Sequence, residues 1–414
     1  MSKFKKIMAI TLCFVLSFLF VSCGGNGVSG GGIVNFDSEV ISEEEQSGVK
    51  LITVYNGSEQ DLLAPALREY LDEDDYDKQC KFLKDHKNEN YDVTRIYLEW
   101  DGVSGREYSL YIADNENFSR PNIIKTTESE YFPSFLIPGK TYYWKVEDLT
   151  DGTTSAIDSF KVKDLPVRII KANGTNNVRD MGGWKTEGGK TVRYGMIYRG
   201  ARINSTGNVT TLAESGLEVF KNVLKIKSEI DLRTPNADDA GQTENCIDPS
   251  STYLKAPFTQ YTYIFPQFSQ NEPVKRSYDE RTKSSLQSIF ELLADESNYP
   301  VYVHCNAGAD RTGTIAFLVN GLLGVGYENL TRDFEITSFT SQKTLRWRGS
   351  EGNFKDGVMQ DDSNNYVAWG KMYDYMMRYY GEGKTLSEAI ENYLTSHCEI
   401  KKVTLEKVKA LLLA

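Results

Sequence analysis

Residues 300–313 read Pro300-Val301-Tyr302-Val303-His304-Cys305-Asn306-Ala307-Gly308-Ala309-Asp310-Arg311-Thr312-Gly313, and this stretch decides the fold of the C-terminal part. Its beginning is apolar and predicts a buried strand, and the small residues that follow predict a tight loop. The sequence then runs on as an apolar segment to Leu323, which predicts a buried helix. Together with further strand and helix patterns, this predicts an α/β domain with a central, mainly parallel sheet over residues 164–414.

The loop in this stretch has the composition of an anion site. Loop amides and the dipole of a helix N-terminus point at the same position, and phosphate is the anion expected to bind there. Five residues separate Cys305 from Arg311, which places a thiolate beneath a bound phosphorus and lets the guanidinium hold two phosphate oxygens. The amides, the helix N-terminus and Arg311 all favour the thiolate form of Cys305. Cys305 is therefore the candidate nucleophile.

The neighbours of Cys305 have predicted roles of their own. We expect the Thr312 hydroxyl to donate to the sulfur when it leaves, and His304 to brace the loop. Asp310 is a candidate general acid, although a carboxylate at this position also suits an ion pair with a nearby arginine or a helix cap. The loop residues expected to surround phosphate are Asn306, Ala307, Gly308, Ala309 and Gly313.

The segment His304 to Gly313 resembles the active-site signature of protein tyrosine phosphatases. It is most similar to the bacterial atypical tyrosine/serine phosphatase family, whose loop reads His-Cys-x-Ala-Gly-Lys-Asp-Arg-Thr-Gly. Further segments look like that family: Asn177–Gly183, Val192–Gly200 and Ile230–Arg233. The resemblance implies a cysteine-phosphatase fold without metal or other cofactor, with Cys305 as nucleophile, Arg311 as phosphate clamp and Asp310 as general acid.

One departure from the family pattern bears on the substrate. Ala309 stands where the family has lysine, and the loss of this positive charge favours a singly phosphorylated substrate. We therefore expect phosphotyrosine, with phosphoserine and phosphothreonine as further candidates, to be hydrolysed through a phosphocysteine intermediate. An inositol phosphate or another small phosphate ester is the alternative substrate. A non-catalytic surface lipoprotein that binds phosphorylated ligands is the alternative of another class.

Several charged residues outside the loop are candidates for supporting roles. Asp180 and Arg179 are expected to anchor the loop, and structural ion pairs or strand-end solvation explain each of them equally well. A second group, Arg199, Arg202 and Arg233, is expected to supply positive potential at the pocket mouth, although structural ion pairs explain these arginines equally well. The alternative acids are Asp238, Asp239, Asp361 and Asp362, and the arginines that would line a lid or an exposed basic strip are Arg346 and Arg348.

The N-terminus has the pattern of an export signal. Lysines at positions 3, 5 and 6 precede an apolar run from Ile7 to Val21, which is too short for a spanning helix. Ser22-Cys23 at its end resembles the cleavage site of bacterial lipoproteins. We expect a signal peptide over 1–22, lipidation at Cys23, a tether over 23–50 and a membrane-anchored, exported protein. A plain secretory signal is the alternative.

Residues 51–163 predict an all-β sandwich of immunoglobulin or fibronectin type III kind, with the clearest strand pattern over 92–162. The pattern before residue 92 is mixed, and Asp61 to Leu71 is a candidate helix there. The run Leu136–Val146 resembles the start of the sixth strand of fibronectin type III domains. Tyr142, Trp144 and Val146 would then face the core, and the Tyr142 hydroxyl would bond back to the chain.

The composition limits what else the protein can be. A chain of 414 residues suggests two domains, and a net charge of −11 without a dense Lys/Arg run argues against a nucleic-acid partner. With three histidines in the chain, a His-rich metal site is excluded, and the cysteine spacing matches no zinc pattern. A disulfide among Cys80, Cys246 and Cys398 is left open.

Overall fold

The computed structural model describes residues 48–86, 95–235, 238–257, 272–340 and 367–414, together with Arg346 and the short strands at 354–355 and 358–359. Residues 47–414 belong to one compact unit. The predicted signal peptide, Cys23 and residues 24–47 of the predicted tether lie outside the described residues. So do three of the candidate site residues, Arg348, Asp361 and Asp362.

The described N-terminal part contains two β-sheets around one apolar core. The larger sheet has the order β1-β7-β6-β3-β4, in which β1 is parallel to β7 and the other pairs are antiparallel, and β2 pairs antiparallel with β5. Side chains of both sheets contribute to the same core. The strands are β1 (Glu59–Gln60), β2 (Leu98–Glu99), β3 (Tyr108–Ala113), β4 (Asn122–Thr126), β5 (Glu130–Tyr131), β6 (Thr141–Asp148) and β7 (Asp158–Val162).

Strand β6 shows why this part of the chain forms a sheet. Its side chains alternate between buried and half-buried positions, and Tyr142, Trp144 and Val146 are all buried in the core. The backbone N–H of Ile137 donates a hydrogen bond of 2.9 Å to the Tyr142 hydroxyl oxygen. The expected inward face of this strand and the expected tyrosine contact are both present.

The prediction of an all-β domain over residues 51–163 is wrong, because the N-terminal part also contains helices. Residues 65–86 form α1 (Pro65–Asp72) and α2 (Tyr76–His86). The physical reason is the spacing of Leu67, Tyr70 and Leu71, which places these buried side chains on one helical face. That face packs into the core of the C-terminal part, where the Tyr70 hydroxyl also donates to the carboxylate of Glu335.

The C-terminal sheet is mainly parallel, as predicted. Its order is β11-β10-β12-β9-β8, and every pair is parallel except β8 with β9. Val301 and Val303 face one apolar cluster while Tyr302 faces another, so the central strand β12 is buried on both faces. The strands are β8 (Arg179–Asp180), β9 (Ile197–Gly200), β10 (Ser228–Asp231), β11 (Thr252–Lys255) and β12 (Val301–His304).

Helices cover this sheet, and the central one begins at the loop after β12. Residues 312–322 of that helix, α5, are all buried, which explains why its sequence is apolar on every side. The helices are α3 (Glu214–Glu218), α4 (Glu272–Leu293), α5 (Asp310–Leu322), α6 (Tyr327–Glu335), α7 (Val367–Tyr380), α8 (Leu386–Asn392) and α9 (Lys402–Leu412). Short helical turns lie at Val219–Val223, Glu296–Asn298, Ile336–Phe339 and Tyr393–His397, and a small hairpin pairs β13 (Phe354–Lys355) with β14 (Val358–Met359).

Three further observations concern the part of the chain that the structure describes. Within it, no helix combines the length and the apolar character needed to cross a bilayer. The same residues contain no group of three or more His, Cys, Asp or Glu side chains arranged to hold a metal ion. Cys80, Cys246 and Cys398 are each buried and are not joined by a disulfide.

Candidate active site

The candidate nucleophile lies where the central strand meets the central helix. Cys305 directly follows β12 and is only 2 % exposed. The loop 305–309 then turns into α5, and no side chain caps the first turn of this helix. A helix N-terminus leaves its first amide groups without partners inside the helix, so it can bind an anion at this point.

Tight packing between two glycines shapes the loop. Gly308 has a φ of +66°, in the left-handed region that favours glycine, and it lies against the backbone of Gly200 at the end of β9. A side chain at position 308 would overlap that backbone. The loop can therefore rest directly on the neighbouring parallel strand.

Two guanidinium groups interact with Cys305. Burial lowers the pKa of Arg311, but attraction to Cys305 and to Asp238 outweighs burial and raises that pKa overall. Burial and the neighbouring Arg179 lower the pKa of Arg199 to about 10, and attraction to Cys305 partly opposes this change. Both guanidinium groups therefore place positive charge near the Cys305 sulfur.

Arg199 supports the loop from below. Its Nη2 donates to the carbonyl oxygens of Gly308 at 2.8 Å and Ala309 at 3.2 Å, and its Nη1 donates to the Asp333 carboxylate. Asp333 also accepts from Arg179 Nε at 2.9 Å. Burial alone would raise the pKa of Asp333, but the two arginines lower it. Of the two explanations that the sequence left open for Arg199, the structural ion pair is the one present, because its side chain is completely buried beneath the loop and does not reach the pocket mouth.

A second brace comes from the segment before β8. Asn177 Nδ2 donates to the carbonyl oxygen of Ala307 at 3.0 Å, and Asn177 Oδ1 accepts from Arg179 Nη1 at 2.5 Å. Arg179 therefore anchors the loop through Asn177 as well as through Asp333. Asn177 has this role only because the fold brings it to a loop 130 residues further along the chain.

His304 is buried at the end of β12, next to the nucleophile. Its Nε2 lies 2.8 Å from Glu229 Oε1, and its Nδ1 lies 3.3 Å from the carbonyl oxygen of Cys305. The Glu229 carboxylate also accepts from Gln242 Nε2 at 2.6 Å and from the backbone N–H of Cys246 at 2.9 Å. This position suits the bracing role predicted for His304.

Two carboxylates reach the loop by different contacts. Asp238 accepts from Arg311 Nη1 and from Asn306 Nδ2. Asp310 accepts from Arg346 Nε at 2.8 Å and Arg346 Nη2 at 3.0 Å, which is a bidentate ion pair. Of the roles that the sequence left open for Asp310, the ion pair is the one present.

The remaining loop residues are largely buried. The Thr312 hydroxyl is buried and makes no hydrogen bond to any described residue, so its donation to Cys305 stays a prediction. Ala309 is 1 % exposed, and a short side chain there leaves the mouth without the cation that the family loop carries. Asn306 is exposed at the mouth, next to Arg202.

Two of the predicted supporting residues lie in other ion pairs. Asp180 is buried against Arg168 Nη1 at 3.2 Å and does not contact the loop. Arg233 is buried and donates to both oxygens of Asp231, at 2.8 Å and 2.9 Å. Arg202, in contrast, is exposed in a groove next to the loop. For Asp180 and Arg233, the structural ion pair is therefore the explanation that is present, and the loop anchor at Asp180 and the mouth potential at Arg233 are not, because burial directs both side chains to other partners.

Comparison with known proteins extends this description. A protein of Cupriavidus necator, provisionally named a tyrosine-protein phosphatase, is 23 % identical over 172 residues, which are 38 % of this chain and 59 % of the relative. The tyrosine-protein phosphatase-like protein OCA2 of Saccharomyces cerevisiae is 26 % identical over 149 residues, which are 36 % of this chain and 64 % of that protein. The chain thus spans about three fifths of the length of these curated relatives.

A solved structure and a family model were also compared with the chain. The structure is the core catalytic domain of the PP-IP phosphatase SIW14 of S. cerevisiae in complex with citrate. It shows 15 % identity and a TM-score of 0.23, covering 36 % of this chain and 77 % of that chain. The model of the tyrosine phosphatase family matches residues 170–414, more than half of the chain and the whole loop with its braces. The chain therefore belongs to the tyrosine phosphatase family.

Proposed function

We propose that the protein is a phosphatase that hydrolyses phosphate monoesters, with protein phosphotyrosine as the preferred substrate. One observation carries the proposal: Cys305 lies at an uncapped helix N-terminus, with the Arg311 and Arg199 guanidinium groups acting on it. This arrangement combines a nucleophile, a cation and amide donors in the place where a phosphate would bind.

The proposed reaction has two steps. In the first, the Cys305 thiolate attacks phosphorus, the bond to the leaving oxygen breaks, and that oxygen takes a proton from an acid. In the second, water attacks the phosphocysteine, the sulfur leaves as a thiolate, and the same acid group regains a proton. Arg311 would hold two phosphate oxygens in both steps, and Thr312 would donate to the departing sulfur.

The charges at the mouth support a substrate with one phosphate. Arg346 is paired with Asp310, Arg311 contacts Asp238, and position 309 carries an alanine. Of the three arginines that the sequence suggested for the mouth, Arg199 and Arg233 are buried in other contacts, and Arg202 is exposed beside the loop. A polyphosphorylated inositol needs several cations to offset its charge, and these contacts favour phosphotyrosine over it.

The test measures release of phosphate from a phosphotyrosine peptide, from phosphoserine and phosphothreonine peptides, and from inositol hexakisphosphate. Wild type should act best on the phosphotyrosine peptide and Cys305→Ser on none of them. Cys246→Ser is the matched control, because it replaces another buried cysteine outside the loop. If wild type is as inactive as Cys305→Ser on all substrates, the phosphatase proposal fails and the ligand-binding alternative gains support.

We also propose that the chain is exported and anchored to the membrane through a lipid on Cys23, and that the N-terminal sheets form a fibronectin type III-like scaffold. The signal pattern of residues 1–23 supports the first part, and the Tyr142 contact with Ile137 supports the second. Metabolic labelling with a palmitate analogue tests the anchor. Wild type should be labelled and Cys23→Ala should not, and an unlabelled wild type would contradict lipidation.

A further inference from the structure

We propose that Asp238, rather than Asp310, is the acid that protonates the leaving group. The inference rests on the proposed phosphatase function and assigns a catalytic residue to it. Asp238 is half-buried, follows β10 by a short loop, and contacts both Arg311 and Asn306 at the mouth. A carboxylate with these two contacts lies beside the residues that are expected to hold the phosphate.

The Asp310 carboxylate has a different partner from that of Asp238. Both of its oxygens accept from Arg346, at 2.8 Å and 3.0 Å, so both are already engaged in a bidentate ion pair. A general acid must carry a proton when the bond to the leaving group breaks. Asp310 would first have to break its ion pair with Arg346. Because Arg346 is not expected to bind the substrate phosphate, substrate binding would not release Asp310 from this pair.

The contact between Asp238 and Arg311 is expected to change when substrate binds. Arg311 is the phosphate clamp, so a bound phosphate takes over the guanidinium that now contacts Asp238. The Asp238 carboxyl group is then released from Arg311 and lies beside the bound substrate. Substrate binding thereby prepares Asp238 to donate the proton.

The loop that carries Asp238 is held in place by hydrogen bonds to the next residue in the chain, Asp239. The carbonyl oxygen of Asp239 accepts from Asn204 Nδ2 at 2.9 Å, and the Asp239 carboxylate accepts from Lys255 and from the Gly241 N–H. Asp239 is the alternative acid next in sequence, but it is buried and its carboxylate is already engaged in these contacts. They fix the backbone at the next residue, and a fixed backbone is what a general acid requires.

The sequence removes one competing source of a carboxylate. Residues 256–271, which follow the edge strand β11, contain neither Asp nor Glu. A donor from that connection is therefore excluded by composition. Among the described residues, Asp238 and Asp310 are the carboxylates that hydrogen bond to loop residues or belong to the loop itself.

The proton balance of the proposed step is complete. As the Cys305 sulfur forms its bond to phosphorus, the electron pair of the P–O bond moves to the leaving oxygen, and the Asp238 carboxyl gives that oxygen its proton. In the second step the Asp238 carboxylate accepts a proton from the attacking water, and the pair of the P–S bond returns to sulfur. Asp238 ends the cycle protonated, and no further reactant is needed.

The experiment compares leaving groups. Wild type, Asp238→Asn and Asp310→Asn are assayed with phenyl phosphate, whose phenolate is a poor leaving group, and p-nitrophenyl phosphate, whose leaving group needs little protonation. We expect Asp238→Asn to lose about 100-fold or more in kcat on phenyl phosphate and less than about 10-fold on p-nitrophenyl phosphate. Asp310→Asn should change both rates by the same factor. Thermal unfolding and binding of orthovanadate check that each variant is folded.

The possible results separate the acid role from a structural one. If Asp238→Asn lowers both rates equally, Asp238 only positions Arg311 and the inference is wrong. If Asp310→Asn is the variant with the leaving-group dependence, the acid is Asp310. Wild type that hydrolyses neither ester would instead remove the proposed function itself, which distinguishes the two failures.

Discussion

Gly308 is a position in the active-site loop where even a single methyl group should be costly. It combines a φ of +66° with direct contact to the end of β9. A Cβ atom at Gly308 would lie 2.7 Å from the backbone nitrogen of Ala201 and still closer to the carbonyl group of Gly200. Neither neighbour is a flexible side chain, so the loop or the strand would have to move.

The cost of Gly308→Ala can be worked out from these two features. An alanine in the left-handed region costs about 1–2 kcal/mol, and overpacking against backbone costs about 1–3 kcal/mol. We therefore expect unfolding to require about 2–5 kcal/mol less free energy. A loop displaced by about 1 Å should also lower kcat/KM by about 100-fold. Urea denaturation measures the first quantity, and hydrolysis of p-nitrophenyl phosphate measures the second.

Gly189→Ala is the matched control. Gly189 has a φ of +81° but nothing within 4 Å of an added Cβ atom. The free energy of unfolding of Gly189→Ala should fall only by the backbone cost of about 1–2 kcal/mol, and the variant should keep wild-type activity. Equal losses of stability in the two variants, or full activity of Gly308→Ala, would refute the claim that contact with Gly200 shapes the loop.

Two further predictions concern stability. The arginines lower the pKa of Asp333, so its stabilising effect should be present above its unfolded pKa of about 3.9 and lost as the pH falls toward the lower folded value. Asp333→Asn should cost about 3–5 kcal/mol near neutral pH, and this difference from wild type should shrink in denaturation curves below about pH 4; a constant difference would contradict the assigned charge. Tyr142→Phe removes the acceptor for the Ile137 N–H and should cost about 1 kcal/mol without changing phosphate release, whereas a loss of activity would show that the N-terminal sheet acts on the site.

Buried charge is the main feature of the loop surroundings. Arg199 and Arg179 share Asp333 beneath the loop, and Arg233 is paired with Asp231 at the end of the neighbouring strand. Separating the two members of a buried ion pair leaves a charge without compensation, which costs free energy. The side chains of such a pair therefore keep their positions, and so does the backbone that they hydrogen bond to. The loop carbonyls bonded to Arg199 and Asn177 thus have fixed donors before any phosphate binds.

Local features of the fold could be predicted from the sequence. The strand that ends at His304, the loop and the helix that follows are contiguous, and the apolar pattern of each is set by its own burial. The same is true of Tyr142, whose partner Ile137 is only five residues away. The candidate helix at residues 61–71 matches α1, but the fold class still placed residues 65–86 in an all-β domain, because their apolar face packs on the C-terminal core, which lies far away in sequence.

The roles of charged residues could not be predicted in this way. An arginine at a strand end looks the same in sequence whether it faces solvent or lies beneath a loop, and Arg199 and Arg233 were both expected at the mouth. Asp238 and Asp310 were both candidate acids, and their different partners come from long-range contacts, with Arg311 73 residues away in one case and Arg346 36 residues away in the other.

The sequence by itself determined the strand, loop and helix that bring Cys305 and Arg311 together, because their spacing within one short segment leaves the backbone little choice. It also determined the absence of a cation at position 309. Only the tertiary structure decided that Arg199, Asn177 and Asp333 brace this loop, and that Asp238 contacts Arg311 while Asp310 pairs with Arg346. The physical reason is that the partner and the burial of a charged side chain depend on which distant segments the sheet brings beside it.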